Sequence, residues 1–413
     1  MPSAPDHPRV VVTGIGLECG LGTDRETRWQ GLREGRSAAR TLGLPTAAGT
    51  PPYAGCPVGP SDHRPKEILF KAAIEAVADA KIGREAPIDR DRAATLIGMS
   101  KGDLRTLAAW HSRLLVGSLD EVVNPSTWSF LFPNGPAALM AHVWDFRGPC
   151  LAPVAACATG VVAVLQAADL IRRGVCDVAI AGAGDSSLEP LVLASFRKMK
   201  VLARVDGDPA GAVRPWDRNR SGFLVGEGAA ILVLERENHA RARGVLPYAE
   251  VAGGAIGGDA YHMTDLNPDP SNLAGLIRRA LKNAGVAPEE IDHVNVHGTA
   301  TRPNDPLECR AIRLALGKQA DRVACSANKS QIGHLLGAAG AAELAIACLS
   351  IRDGFVPPTL NLSDPDPACD LDGTPLVGRS LPIGAALKLS LGFGGHLAAA
   401  VLRRPEGPRR GPR

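Results

Sequence analysis

The sequence predicts an α/β protein made of two equivalent halves. Short apolar runs that read as buried strands alternate with helical stretches along most of the 413 residues. A segment that begins at Cys157 recurs 180 residues later without a gap. Apolar residues make up 45% of the chain, much of it alanine and valine, and aromatics only 4%, a composition suited to closely packed helices and strands.

Val10-Val-Val-Thr-Gly14 reads as a buried first strand that ends at a glycine turn. Residues 41 to 64 are rich in Pro and Gly and read as a surface loop. Ile68 to Ile82 has the spacing of an amphipathic helix, and Ala93 to Met99 is a second buried strand. Residues 103 to 140 have mixed character and carry Trp110, Trp128, Phe130 and Phe132, as expected of a segment that packs on a partner subunit. The apolar helix Val161 to Ile171 follows Cys157, and strands are expected at Cys176 to Ala183 and Ala229 to Leu234.

Cys157 to Gly174 can be laid on Gly337 to Gly354. Ala158/Ala338, Gly160/Gly340, Ala167/Ala347, Ile171/Ile351, Arg172/Arg352 and Gly174/Gly354 are identical. Upstream of each copy lies a helix and then a strand: Ile68 to Ile82 with Ala93 to Met99, and Leu276 to Ala284 with His293 to His297. This order predicts a pseudo-dyad, with one half over residues 1–245 and the other over 246–402. Residues 403–413 form a basic Pro/Gly/Arg tail, expected to be disordered. Two small-residue helices can then cross in the middle, because Gly and Ala permit close backbone approach. Alternating elements point to mainly parallel sheets lying outside them.

A net charge of +3 gives no reason to invoke nucleic acid or an anionic membrane. The nine cysteines are an odd number, with no Cys-x-x-Cys pair and no Cys/His cluster at zinc spacing, so no metal site is expected. The polar N-terminus lacks the apolar core of a signal peptide. No apolar run approaches the roughly 20 residues that span a bilayer. A cytoplasmic protein is expected.

Cys157 sits in Val-Ala-Ala-Cys-Ala-Thr-Gly (Val154 to Gly160), at the mouth of a helix. Small neighbours leave the sulfur uncovered, and a helix N-terminus favours the nucleophilic thiolate. Taken alone it is one small buried hydrophobe among nine cysteines. Ligands of such sheets bind beyond the strand C-termini, and two histidine segments of the second half meet that condition. His297 ends a predicted strand, and His334 closes Asn328-Lys-Ser-Gln-Ile-Gly-His334. A lone histidine at a turn is most often structural. Two at element ends of one half, answering a cysteine of the other, point to covalent catalysis.

The chain resembles β-ketoacyl-acyl-carrier-protein synthases of the two-histidine type, over nearly its whole length. Val11-Val-Thr-Gly-Ile-Gly16 is similar to the family's opening strand, and Arg214 to Gly228 (Arg-Pro-Trp-Asp-Arg-Asn-Arg-Ser-Gly-Phe-Leu-Val-Gly-Glu-Gly) to its mid-chain signature. Asp259-Ala-Tyr-His-Met-Thr264, His297-Gly-Thr-Ala-Thr301, Lys329 to His334 and Gly392-Phe-Gly-Gly395 follow in the family's order. The resemblance implies a thiolase-like fold, two α/β halves layered α-β-α-β-α. It implies that Cys157 takes the acyl group from an acyl-carrier protein. His297 and His334 then assist decarboxylation of a malonyl thioester and hold its enolate. The N–H groups of Cys157 and Phe393 form an oxyanion hole, and Phe393 also gates the pocket. Thr299 and Thr301 bind the phosphopantetheine arm. Lys329, paired with Glu343, orients the site, and Asp305 and Glu308 support it. No cofactor is implied, since substrates ride on the carrier's phosphopantetheine. The implied partners are an acyl-carrier protein in trans and a second subunit, in a homodimer or a heterodimer with a related ketosynthase.

Three places in the chain, six residues in all, depart from the family pattern. His396 and Leu397 follow the glycine loop where a polar pair such as Thr-Asn is usual. Leu391 stands where Phe is common, and Asp185-Ser-Ser187 replaces a small or acidic stretch. Two other functional classes share the fold. A silent chain-length-factor partner typically lacks the nucleophilic cysteine, which this chain has. A thiolase carries its nucleophile earlier and a second cysteine in a late Cys-x-Gly turn, where this chain has Phe393. A Cys/His/Asn synthase would need Asn at His334.

Overall fold

The computed structural model describes residues 8–46, 49–59, 65–117, 131–408 and 410–411. Its main sheet has ten strands: β1 (Val10–Glu18), β2 (Ala93–Gly98), β3 (Cys150–Leu151), β4 (Val178–Asp185), β5 (Gly228–Arg236), β6 (Ala249–Gly258), β7 (Ile291–Asn295), β8 (Ala324–Ser326), β9 (Ala385–Gly392) and β10 (His396–Arg403). The helices that matter for the site are α1 (Pro65–Ala80), α2 (Leu104–Leu114), α3 (Gly135–Trp144), α4 (Thr159–Arg172), α5 (Ser271–Ala284), α6 (Asn304–Leu316), α7 (Lys329–Ile332) and α8 (Ala339–Asp353).

The sheet order is β8-β7-β9-β10-β6-β1-β5-β4-β2-β3, and it is symmetric about its centre. Outward from β1, the pairings are antiparallel to β5, antiparallel to β4, then parallel to β2 and β3. Outward from β6 they run antiparallel to β10, antiparallel to β9, then parallel to β7 and β8. The sheets are therefore mixed, not mainly parallel as expected, because the innermost strands of each half run against their neighbours. The two five-stranded halves also join, through Val11↔Glu250 and Val12↔Ala249.

Three large apolar clusters stack through the molecule. One lies between α1, α3 and the outer face of the first half-sheet, and another between α5, α6 and that of the second. The largest surrounds α4 and α8, sandwiched between the half-sheets. The result is the expected five layers. Fourteen of the fifteen residues of α8 are buried, which its alanine-rich sequence permits. A Cβ on Gly160 would run into the backbone N of Ala341, and one on Gly340 would lie 2.7 Å from Val161 Cγ2. These glycines let the equivalent helices touch at backbone distance.

Several expectations need correction. The first strand does not end at Gly14 but continues to Glu18. Gly14 and Gly16 are not turn residues; they make room for α1, whose carbonyls of Ala76 and Ala72 occupy the space of their missing Cβ atoms. The 41–64 region holds the end of a short strand at Arg40–Thr41 and another at Ala54–Cys56. The strand expected at Cys176 starts at Val178 and runs to Asp185. Within 103–140, Trp110 is half-buried and Phe132 exposed, while Trp128 and Phe130 lie outside the described residues. In the basic tail, Arg410 is tied to Asp79 at 2.5 Å and to the hydroxyl of Tyr248 at 2.9 Å. No helix among the described residues is long and apolar enough to cross a membrane.

Candidate active site

A cavity of about 1320 Å³ opens where the C-terminal ends of the second half's strands meet the mouth of α4. Cys157, His297, His334, Thr299, Thr301 and Phe393 all line it. The two halves thus contribute different chemistry to one space.

Cys157 lies in a single 3-10 turn, Ala156–Ala158, that leads into α4. The preceding Ala156 has a φ of 46°, an uncommon conformation for a residue with a side chain. Thr159 steadies the turn: its hydroxyl accepts from Ala155 N at 2.9 Å and donates to Ala156 O at 2.7 Å. The sulfur is half-buried on the cavity wall. Burial pushes its thiol up to about 11, against the lowering pull of Lys329, Lys101 and the Phe393 N–H. The expected thiolate is therefore wrong for the resting protein: desolvation outweighs one short helix mouth and two nearby lysines.

His297 lies just beyond β7, in a turn held by Glu308. That carboxylate, carried on α6, accepts from the N–H of His297 at 2.5 Å and of Gly298 at 2.9 Å. Gly298 has a φ of 48° and packs against Ala327, so the turn needs glycine. Burial pushes Glu308 up to about 7 and Asp305 up to about 6. Asp305 accepts from Trp216 N at 2.9 Å and faces Arg220 at 3.9 Å. Neither carboxylate lines the cavity; both brace its wall.

His334 ends the α7 turn, and its Nδ1 accepts from Leu336 N–H at 3.2 Å. An accepting Nδ1 places the proton of the neutral ring on Nε2. The ring stands edge-on to Phe223 at 4.9 Å and to His297 at 5.4 Å. Burial, and then the positive charge of Lys329, hold both histidines well below the usual imidazole range. Both are neutral at physiological pH.

Lys329 donates to His297 O at 2.5 Å and pairs with Glu343 Oε1 at 2.6 Å, both partners fully buried. The hydroxyls of Thr299 and Thr301 are 2.9 Å apart. The glycine loop after β9 is held by the 259–263 segment, with Gly395 O accepting from Asp259 N and Gly394 N donating to Met263 O, each at 2.7 Å. Gly394 and Gly395 have φ of 86° and 76°. His396 is exposed beside this loop.

Two features of the site were not expected from the sequence, and a third, Asp185, was expected only as a departure from the family pattern. Lys388 on β9 is fully buried and lies 2.6 Å from Glu343 Oε2. A lysine inside Ala-Ala-Leu-Lys-Leu-Ser-Leu was a visible signal. Asp185 holds Ser100, Ser187 and the N–H of Gly337, close behind Cys157. Phe196 and Phe223 form an aromatic wall of the cavity.

The family model described as Beta-ketoacyl synthase, N-terminal domain matches residues 64–240, and the corresponding C-terminal domain matches 248–363. The chain is 36% identical to the tetracenomycin polyketide synthase ketoacyl synthase alpha subunit of Streptomyces glaucescens, covering 97% of this chain and 98% of that one. It is 35% identical to 3-oxoacyl-[acyl-carrier-protein] synthase 2 of Coxiella burnetii, over 96% and 98%. Among solved structures, a type II polyketide ketosynthase in complex with its acyl-carrier protein (AntDE:AntF) superposes with a TM-score of 0.90 at 32% identity, over 97% of this chain and 100% of that one. The ishigamide ketosynthase/chain length factor gives 0.86 at 32%, with the same coverage.

Proposed function

The chain belongs to the β-ketoacyl synthase family, and on that premise we infer a division of labour in which Cys157 carries the acyl chain and His297 and His334 generate the carbanion. The enzyme is an acyltransferase that condenses an acyl thioester with malonyl-acyl-carrier protein and releases a β-ketoacyl-acyl-carrier protein. The observation that supports this assignment best is the pairing, across one cavity, of a cysteine sulfur with two neutral imidazoles from the other half.

In the first step the Cys157 sulfur attacks the acyl thioester carbonyl. The phosphopantetheine thiol leaves with the cysteine's proton. Attacking and leaving groups are both thiols, so the exchange is near balance. The carbonyl oxygen gains charge beside the N–H groups of Cys157 and Phe393. In the second step a malonyl thioester enters with its carbonyl oxygen at the two Nε2–H groups. The bond to its carboxylate breaks, CO₂ leaves, and the electron pair passes to the thioester oxygen as an enolate. The thioester is its own electron sink, so no metal is required. Donors placed in advance at such an oxygen are worth about 3–4 kcal/mol each. The enolate carbon then attacks the acyl carbonyl, and the cysteine sulfur leaves and takes one proton from solvent.

Thr299 and Thr301, which line the cavity with their hydroxyls 2.9 Å apart, suit the phosphopantetheine arm. Lys200, Arg204 and Arg302 are exposed at the cavity's lining and suit the acidic surface of a carrier protein acting in trans. A second subunit fits the exposed apolar residues Leu107, Leu115 and Phe132 on and after α2, and Leu151 on the sheet-edge strand β3. Work in the cytoplasm fits a chain with these carriers. The test is release of CO₂ from malonyl-acyl-carrier protein by the purified protein, followed by formation of β-ketoacyl product when acyl-carrier thioester is added. Failure of both, restored only by a related ketosynthase, would favour the silent-partner alternative.

A further inference from the structure

Lys388 has no part in the mechanism above, yet it is one of the largest fully buried side chains of the protein. It rises from β9 into the layer between the sheets. Its ammonium donates to Val296 O at 3.3 Å and to Leu389 O at 2.5 Å, and lies 2.6 Å from Glu343 Oε2. Lys329 holds the other oxygen of the same carboxylate and donates to His297 O. The two lysines thus grip the successive carbonyls of Val296 and His297, and Glu343 bridges them from α8.

Burying an ammonium is costly unless it is paired. One carboxylate would satisfy Lys329 alone. A second cation on the same carboxylate leaves one positive charge in surplus, directly behind the histidine that must hold an enolate. The other titratable groups around Lys388 are Glu308 on α6, His293 and His297 from β7 and its turn, and His334. Glu308 is committed to the turn N–H groups and, pushed up to about 7, only partly offsets that charge near neutrality.

We propose that Lys388 is a positioning residue for the decarboxylation: it fixes the backbone that carries His297 and keeps a positive charge behind both imidazoles as the enolate forms. The inference rests on the functional reading above and adds to it a pH dependence. Burial lowers Lys388 to about 8, against the raising effect of Glu343. Below that pH it is charged and the enolate is favoured; above it the proton is lost and the support goes with it. Acylation of Cys157 moves the other way, because the thiolate fraction grows up to about 11. The two half-reactions therefore part company above pH 8.

The experiment follows kcat/KM for decarboxylation of malonyl-acyl-carrier protein from pH 6.5 to 9.5 in the wild type, Lys388→Met and Lys388→Arg. Acylation of Cys157 by acyl-carrier thioester is measured alongside. The wild type should show a falling limb near pH 8 in decarboxylation only. Lys388→Met should decarboxylate about tenfold more slowly with no such limb, and Lys388→Arg, charged throughout, should lose the limb and keep more of the rate. Acylation should change less than about twofold in either variant. An active wild type without the limb overturns the proposal even if the variants do not fold, as does a Lys388→Met protein with the wild-type rate and profile. A wild type that releases no CO₂ at any pH overturns the functional reading, and this inference with it.

Discussion

The molecule contains the same elbow twice, and only one copy carries a thiol. In the first half, Ala156–Ala158 turns into α4 with Ala156 at a φ of 46°; in the second, Leu336–Ala338 turns into α8 with Leu336 at 48°. Cys157 and Gly337 occupy the same place in the two turns. Each elbow faces the end of a strand from the opposite half. Asp185, the last residue of β4, accepts the N–H of Gly337 at 3.2 Å, and a Cβ on Gly337 would lie only 2.6 Å from Ser100 N. Gly392 is the last residue of the equivalent β9, and its missing Cβ lies 3.0 Å from Cys157 N. A carboxylate closes one elbow. A glycine leaves the other open, with the Cys157 N–H free of any hydrogen bond among the described residues. The two turns share one backbone form and differ in the residue that faces each.

The comparison breaks most sharply if the open elbow is closed. Gly392→Asp would carry into the second half the carboxylate that Asp185 supplies in the first. It should cut condensation by about 10²–10³-fold, the usual loss for an oxyanion donor, and more than Gly392→Ala, which adds bulk alone. Equal losses in the two variants, measured as kcat/KM, would mean that the Cys157 N–H is not used.

A smaller effect tests the packing that holds the elbows together. Gly160→Val forces side-chain bulk into the backbone of Ala341, and should lower stability by about 1–3 kcal/mol in urea unfolding. The same change at an exposed site such as Gly43, which has open space around it, should cost far less.

The last effect, read per pH unit, concerns the sulfur itself. With its thiol near 11, alkylation of Cys157 by iodoacetamide should rise about tenfold per pH unit from 7 to 10. A rate already level at pH 7 would mean that the elbow does stabilise a thiolate. Cys150 is exposed on β3 and must be followed separately by peptide mapping.

Much of this was legible in the sequence. The repeat at Cys157 and Gly337 gave the two central helices in register, because close crossing restricts those positions to Gly and Ala. A strand end gave His297 and a helical turn gave His334, because polar residues in glycine turns stand out against apolar elements. Strand direction was not legible, since the central strands are apolar on both faces whichever way they run. Lys388 stands out as a lone charge in an apolar strand, but its role was not legible because it depends on Glu343, 45 positions away in the chain. The acidity of Cys157 was misjudged because burial, which no local motif reports, decides it.

The division between the halves is tested most directly by intact-protein mass spectrometry after mixing with acyl-carrier thioester. The wild type and the His297→Ala/His334→Ala double variant should both gain one acyl group, mapped to Cys157, and Cys157→Ala should gain none. An adduct on another residue, or a double variant that no longer acylates while keeping its fold, would contradict the account.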